Sequence, residues 1–278
     1  MKCNTLPRLK CSKPLVCIAL AVAIIAMESR SLATVVVLND NGSTAQIDLD
    51  SSAGMNYWSV FGQNQLNQQW FFYRIGNTVA QPINSISSST ILYQDASTVS
   101  AQYANAQLSI YVTYILAGSG AGDADITELV NVVNNTGSTL VDFNLFQYSD
   151  FNLLNTAGGD SVSISMSGGG YDYVYQSKGP TQIQEAITSP VADGAEAALA
   201  YSTLGNLGSI SGYNLNGSTA AGPGDVTWSL QWTRDIEGYG EFDVTKDKAL
   251  HIDAIPEPSS IVLVMMGVGA LGMVRRRQ

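Results

Sequence analysis

Beyond residue 17 the chain has no cysteine. Cys3, Cys11 and Cys17 all precede Ala33. A domain that begins at Thr34 therefore has no disulfide, no thiol nucleophile and no thiolate zinc site. Histidine is nearly as scarce, with His251 alone near the C-terminal end. No Gly-x-Ser-x-Gly elbow accompanies it, so a nucleophilic triad lacks its parts. Glycine-rich phosphate loops and dinucleotide fingerprints are also missing. Charge is sparse at 13% of residues, against a usual share of roughly 25%. Positive charge is the scarcer sign. Residues 34–254 hold 21 acidic side chains against five basic ones, Arg74, Lys178, Arg234, Lys246 and Lys248. Such a surface repels phosphate backbones and excludes nucleic acid as a partner, while it tolerates cations and neutral sugars.

Long apolar runs are confined to the two ends. Residues 1–14 carry four positive charges and no negative one, and residues 15–27 form an apolar run of 13. Ser31 and Ala33 then place small residues where a signal peptidase reads, with cleavage expected after Ala33. These are the three parts of a secretory signal in order, which makes residues 1–33 a signal helix that is removed. At the other end, Pro256-Glu257-Pro258 precedes 16 uncharged residues, 259–274, and the chain closes on Arg275, Arg276, Arg277 and Gln278. A helix of that length spans roughly 24 Å, a short but tolerable transmembrane crossing. The prolines stop it upstream, and the arginines hold its end on the cytoplasmic side. The expected topology puts residues 34–254 outside and passes through an inner-membrane intermediate.

Pro-Glu-Pro, a short apolar helix and a terminal arginine cluster, in that order, resemble the PEP-CTERM sorting signal of Gram-negative bacteria. The resemblance covers residues 255–278. It implies an exosortase-type processing enzyme as partner, acting near Pro256, Glu257 and Pro258. It also implies delivery to the cell surface or the extracellular space, and an association with exopolysaccharide and biofilm. No catalytic residue is implied.

Between the ends the pattern is strand after strand. Val162, Ile164 and Met166 alternate with serines, and Val226, Trp228, Leu230 and Trp232 alternate with Thr227, Ser229 and Gln231. Leu108, Ile110, Val112 and Tyr114 repeat the period of two, which gives each strand one buried face. Asn41-Gly42, Gly168-Gly169-Gly170 and Gly222-Pro223-Gly224 separate the runs as turns. A hairpin is expected between residues 126–134 and 140–148, and a helix within residues 195–204. The fold class is all-β, an antiparallel β-sandwich ectodomain between a signal helix and a short transmembrane helix.

Three constellations are candidates for chemistry. Acidic pairs such as Asp123 with Asp125, or Glu237 with Glu241, are the raw material of glycoside hydrolysis, which needs two carboxyls across a bond. No motif singles them out. Asp150, Asn152, Asn155 and Asp160 bring oxygens to one loop, a candidate calcium site without the spacing of an EF-hand. Tyr171, Tyr173 and Tyr175 alternate on one strand and form either a platform for sugar rings or ordinary core packing. Trp58, Trp70, Phe71, Phe72 and Tyr73, beside Arg74, present the same choice. The expected role is a non-enzymatic exported surface or matrix protein without a bound cofactor. A carbohydrate-binding module and a glycan-active enzyme are its rivals.

Overall fold

The period-two patterning becomes strands throughout the computed structural model, which describes residues 34–252. The first strands are β1 (Val35–Asp40), β2 (Ser43–Asp48), β3 (Gly54–Val60), β4 (Gln63–Asn64), β5 (Leu66–Ile75) and β6 (Gln81–Pro82). The middle of the chain forms β7 (Thr90–Gln94), β8 (Thr98–Ala104), β9 (Leu108–Gly118), β10 (Asp123–Asn134) and β11 (Leu140–Phe151). There follow β12 (Asp160–Ser167), β13 (Gly170–Lys178), β14 (Thr181–Ser189) and β15 (Gly194–Leu199). After helix α1 (Ser202–Ser209) come β16 (Ala220–Gly224), β17 (Val226–Ile236) and β18 (Glu241–His251).

Two nine-stranded sheets result. The first runs β1-β2-β3-β5-β11-β17-β15, with β4 beside β3 and β6 beside β5. The second runs β16-β12-β13-β14-β18-β10-β9-β8-β7. All pairings are antiparallel except a short parallel contact of Gly54 and Met55 with Gln69. The sheets pack face to face. Trp228 of the first donates its indole N–H to Gln176 Oε1 of the second at 3.1 Å. Trp228 also stacks on Phe151, with centroids 6.1 Å apart and planes 3° from parallel. Burying side chains of this size contributes on the order of 2–3 kcal/mol each.

The expected hairpin between β10 and β11 does not form. β10 pairs with β9 and β18, whereas β11 pairs with β5 and β17, so the two strands lie in opposite sheets. Asn134 explains the arch. Its buried Nδ2 donates to the carbonyls of Ser138, Ile236 and Glu237 at 2.7, 3.0 and 2.9 Å. These bonds turn the chain across the sandwich edge rather than back along β10. The expected helix is also displaced. Ala195 and its neighbours form strand β15, paired with β17, and α1 starts only at Ser202. Register with a neighbouring strand outweighs the helix propensity of an alanine-rich run.

One part of the interior is ionic. Glu128 (β10), Glu185 (β14), Lys246 and Lys248 (β18) are all fully buried between the sheets. Among the described residues no helix is long and apolar enough to cross a membrane. The signal helix with Ala33, and the tail with Pro256, Glu257, Pro258, the helix 259–274 and Arg275, Arg276 and Arg277, lie outside the described residues.

Candidate functional site

The outer face of the second sheet carries an open cleft. Side chains directly opposite one another share a face. One such row runs Tyr175, Gln184, Ala249, Asp125, Ala117 across five strands. The next row holds Gln182, His251 and Asp123, and the row on the other side holds Tyr173, Ala186, Asp247 and Thr127. The small Ala117 and Ala249 leave a cleft of about 460 Å³, lined also by Asp123, Asp125, Gln182, Gln184 and His251.

Its polar groups are held in place. Tyr173 donates its hydroxyl to Gln184 Oε1 at 2.6 Å, and Tyr175 donates to Gln182 Oε1 at 3.0 Å. The tyrosines thus fix the two amides of one wall. His251 Nδ1 lies 2.5 Å from Asp123 Oδ1. Thr127 donates to Asp247 Oδ1 at 2.7 Å. Asp125 is hydrogen-bonded to Asp247, and partial burial together with that neighbour pushes its pKa up to about 7. A neighbouring carboxylate disfavours a second negative charge on Asp125, in the same direction as burial.

The tyrosine row is two residues, not three. The register of β12 against β13 slips between Ser165–Tyr173 and Met166–Tyr171, which leaves Asp172 as the extra residue of a bulge. Tyr171 packs against the hydrophobic core and bridges to Ala192. Tyr173 and Tyr175 stay partly exposed beside the cleft.

The four oxygen-bearing residues proposed for calcium separate. Asp150 is buried on β11 and accepts from Asn67 Nδ2 at 2.9 Å, and burial pushes its carboxyl up to about 6. Asp160 accepts from the Leu153 amide and from Gln176 Nε2, at 3.2 and 2.9 Å. Asn152 precedes and Asn155 ends a short 3-10 turn, Leu153–Asn155, in which Leu154 and Asn155 adopt positive φ. A cation already sits in this loop. The Lys178 ammonium donates to the Thr156 carbonyl and hydroxyl and to the Gly158 carbonyl, and lies 3.3 Å from Asp160 Oδ1. Among the described residues no group of three or more His, Cys, Asp or Glu side chains is placed to hold a metal.

The other aromatic cluster is core. Trp58, Trp70, Phe71 and Phe72 are buried, and Arg74 reaches the Tyr213 carbonyl at 2.6 Å and Asn214 Oδ1 at 3.0 Å. Glu237 and Glu241 are exposed at the two ends of the β17–β18 turn. Sequence reasoning named Asp123 and Asp125 without their cross-strand neighbours. It missed Asp247, Gln182 and Gln184, because register across β14, β18 and β10 is not written in any one strand.

The C-terminal residues decide the sorting question. Residues 254–278 carry a PEP-CTERM protein-sorting motif. Such a motif is generally processed by an exosortase and implies export to the cell envelope or surface. No curated protein matches the chain. Among solved structures, a bacterial glucoamylase complexed with acarbose shares the fold with a TM-score of 0.57 at 8% identity. The match covers 83% of this chain and 34% of that one, so this chain spans about a third of the glucoamylase. Galactose 1-epimerase from Lactobacillus acidophilus NCFM matches at 10% identity and a TM-score of 0.48, over 78% of this chain and 93% of its own. Identity at these levels speaks to fold, not to chemistry.

Proposed function

We propose that this exported protein is a non-enzymatic carbohydrate binder of the cell surface, processed through its PEP-CTERM tail by an exosortase after an inner-membrane intermediate. Its ligand class is a neutral or amine-bearing exopolysaccharide held in the outer-face cleft. The observation that carries this reading is the pairing of Tyr173 and Tyr175 with the amides of Gln184 and Gln182 along one wall of the cleft. Partly exposed rings offer flat surfaces to sugar C–H faces. The amides and carboxylates beside them match hydroxyl groups, and the acidic lining disfavours phosphate. The glucoamylase bound to acarbose is consistent with a fold on which saccharide chemistry is found.

A glycan-cleaving enzyme is the second reading, favoured by the Asp125–Asp247 pair. Carboxyls that hydrogen-bond each other stand closer than the roughly 5–10 Å that flank a glycosidic bond, which weighs against it.

The test is retention of the full chain on the host's own immobilised exopolysaccharide, with Tyr173→Ala and Tyr175→Ala beside the native protein. Loss of a stacking ring is expected to weaken binding about tenfold, or about 1.4 kcal/mol. Equal retention of all three would remove the cleft from the account. Shortening of the glycan would restore the enzyme.

A further inference from the structure

We propose that Lys246 and Glu128 become joined by an intramolecular amide bond inside the sandwich, with Glu185 relaying the proton. Glu128 on β10 lies directly opposite Lys246 on β18 in the antiparallel ladder, with both side chains on the buried face. The Lys246 ammonium is in contact with the Glu128 carboxylate and lies 3.3 Å from Glu185 Oε1. Lys248 lies 2.7 Å from Glu128 Oε2 and 3.5 Å from Glu185 Oε2. From the opposite sheet, Gln147 donates Nε2 to Glu185 Oε2 at 2.9 Å, and the Phe71 ring centroid lies 4.9 Å from Lys246 Nζ. Lys246 Nζ touches both carboxylates yet makes no hydrogen bond of ordinary geometry. All four ionisable side chains are fully buried.

The surroundings favour the neutral reactants. Burial above all, then Lys248, holds Lys246 well below the usual lysine range, so its amine is available as a nucleophile. Burial raises Glu185, which can therefore keep a proton. Within the Lys246–Glu128 contact a proton passes from nitrogen to the Glu128 carboxyl, which leaves an amine facing a carboxylic acid. The Lys246 nitrogen attacks Cδ of that acid and a C–N bond forms. Glu185 gives its proton to the departing Glu128 oxygen and takes one from nitrogen. A C–O bond breaks and one water leaves. Glu185 and Lys248 remain as a single neutral pair, and no oxidant, cofactor or external reactant is consumed. Held contact of this kind corresponds to effective concentrations of about 10⁵ M or more, and a dry core opposes the reverse hydrolysis.

The bond would staple two central strands of an exported domain that has no cysteine to do so. The experiment is tryptic mass mapping of the full chain after denaturation. The expected result is no cleavage after Lys246, and one branched species in which the peptide carrying Glu128 is attached to the peptide carrying Lys246, lighter by one water than their sum. A linear peptide ending at Lys246, recovered in full yield, overturns the proposal. Lys246→Arg retains the charge but does not acylate, and is expected to give the linear mass; a branched species in that variant overturns the assignment. In Glu185→Gln the linked fraction should fall more than tenfold. An unchanged fraction would remove Glu185 from the step.

Discussion

Strands β10, β14 and β18 present opposite chemistry on their two faces. Inward they carry Glu128, Glu185, Lys246 and Lys248, two acids matched by two lysines, all buried. Outward they carry Asp123, Asp125 and Asp247, with His251 as the basic group beside them in the cleft. The same backbone builds both, separated only by residue parity. Inside, isolated charge is so costly that the signs must balance. Outside, water screens a negative excess, and that excess stays available to a ligand. The inner face thus belongs to stability, and the outer face is the one on which we propose recognition.

The strongest way to break this division is to unbalance the inner face. Lys248→Met removes a buried cation that lies 2.7 Å from Glu128 Oε2 and 3.5 Å from Glu185 Oε2. We expect a loss of about 3–5 kcal/mol in urea unfolding, with little change in glycan retention by whatever fraction remains folded. A denaturation midpoint equal to the native one would show that the inner charges do not depend on one another. Asn134→Ala tests what keeps β10 in the second sheet at all. It strips three carbonyls of their shared donor, and about 1–3 kcal/mol should go. A cost within experimental error would mean that sheet pairing alone directs the arch.

Much of the inner face is legible in the sequence. Val244, Lys246, Lys248 and Leu250 occupy one parity, Ile126, Glu128 and Val130 another, and Ile183, Glu185 and Ile187 a third. In each, charge interrupts an apolar stripe, and the interruptions have opposite signs. Such a pattern is the signature of ion pairs between buried strand faces. The sandwich class and the sorting tail are legible for similar reasons, since a period of two and an ordered motif are local. What is not legible depends on partners distant in sequence. The β10–β11 turn resembles a hairpin because its short polar loop fits one. Its true course depends on carbonyls at Ile236 and Glu237, about a hundred residues away. The tyrosine row looks continuous in sequence because a bulge at Asp172 depends on the register of β12. The cleft needs five strands in register before it exists.

The gentlest test sharpens the outer side through pH. The Asp125 carboxyl is held at about 7 by partial burial first and by Asp247 second, against an opposing pull from Lys248. In the unfolded chain the same group titrates near its ordinary value of about 3.9. Between about pH 4 and about 7 the native state keeps a proton that the unfolded state has lost. The unfolded state binds fewer protons there, so stability falls as pH rises through the window. The contribution is fully present below about pH 4 and is gone once the pH has passed about 7. Asp125→Asn removes the titration, so urea midpoints should show the native protein losing ground to the variant from pH 4 to pH 8. Parallel profiles for the two proteins would show that folding does not raise the Asp125 pKa. With the expected result, the two faces differ in how they manage crowded carboxylates. The inner face neutralises them with lysine, and the outer face does so with a proton on Asp125.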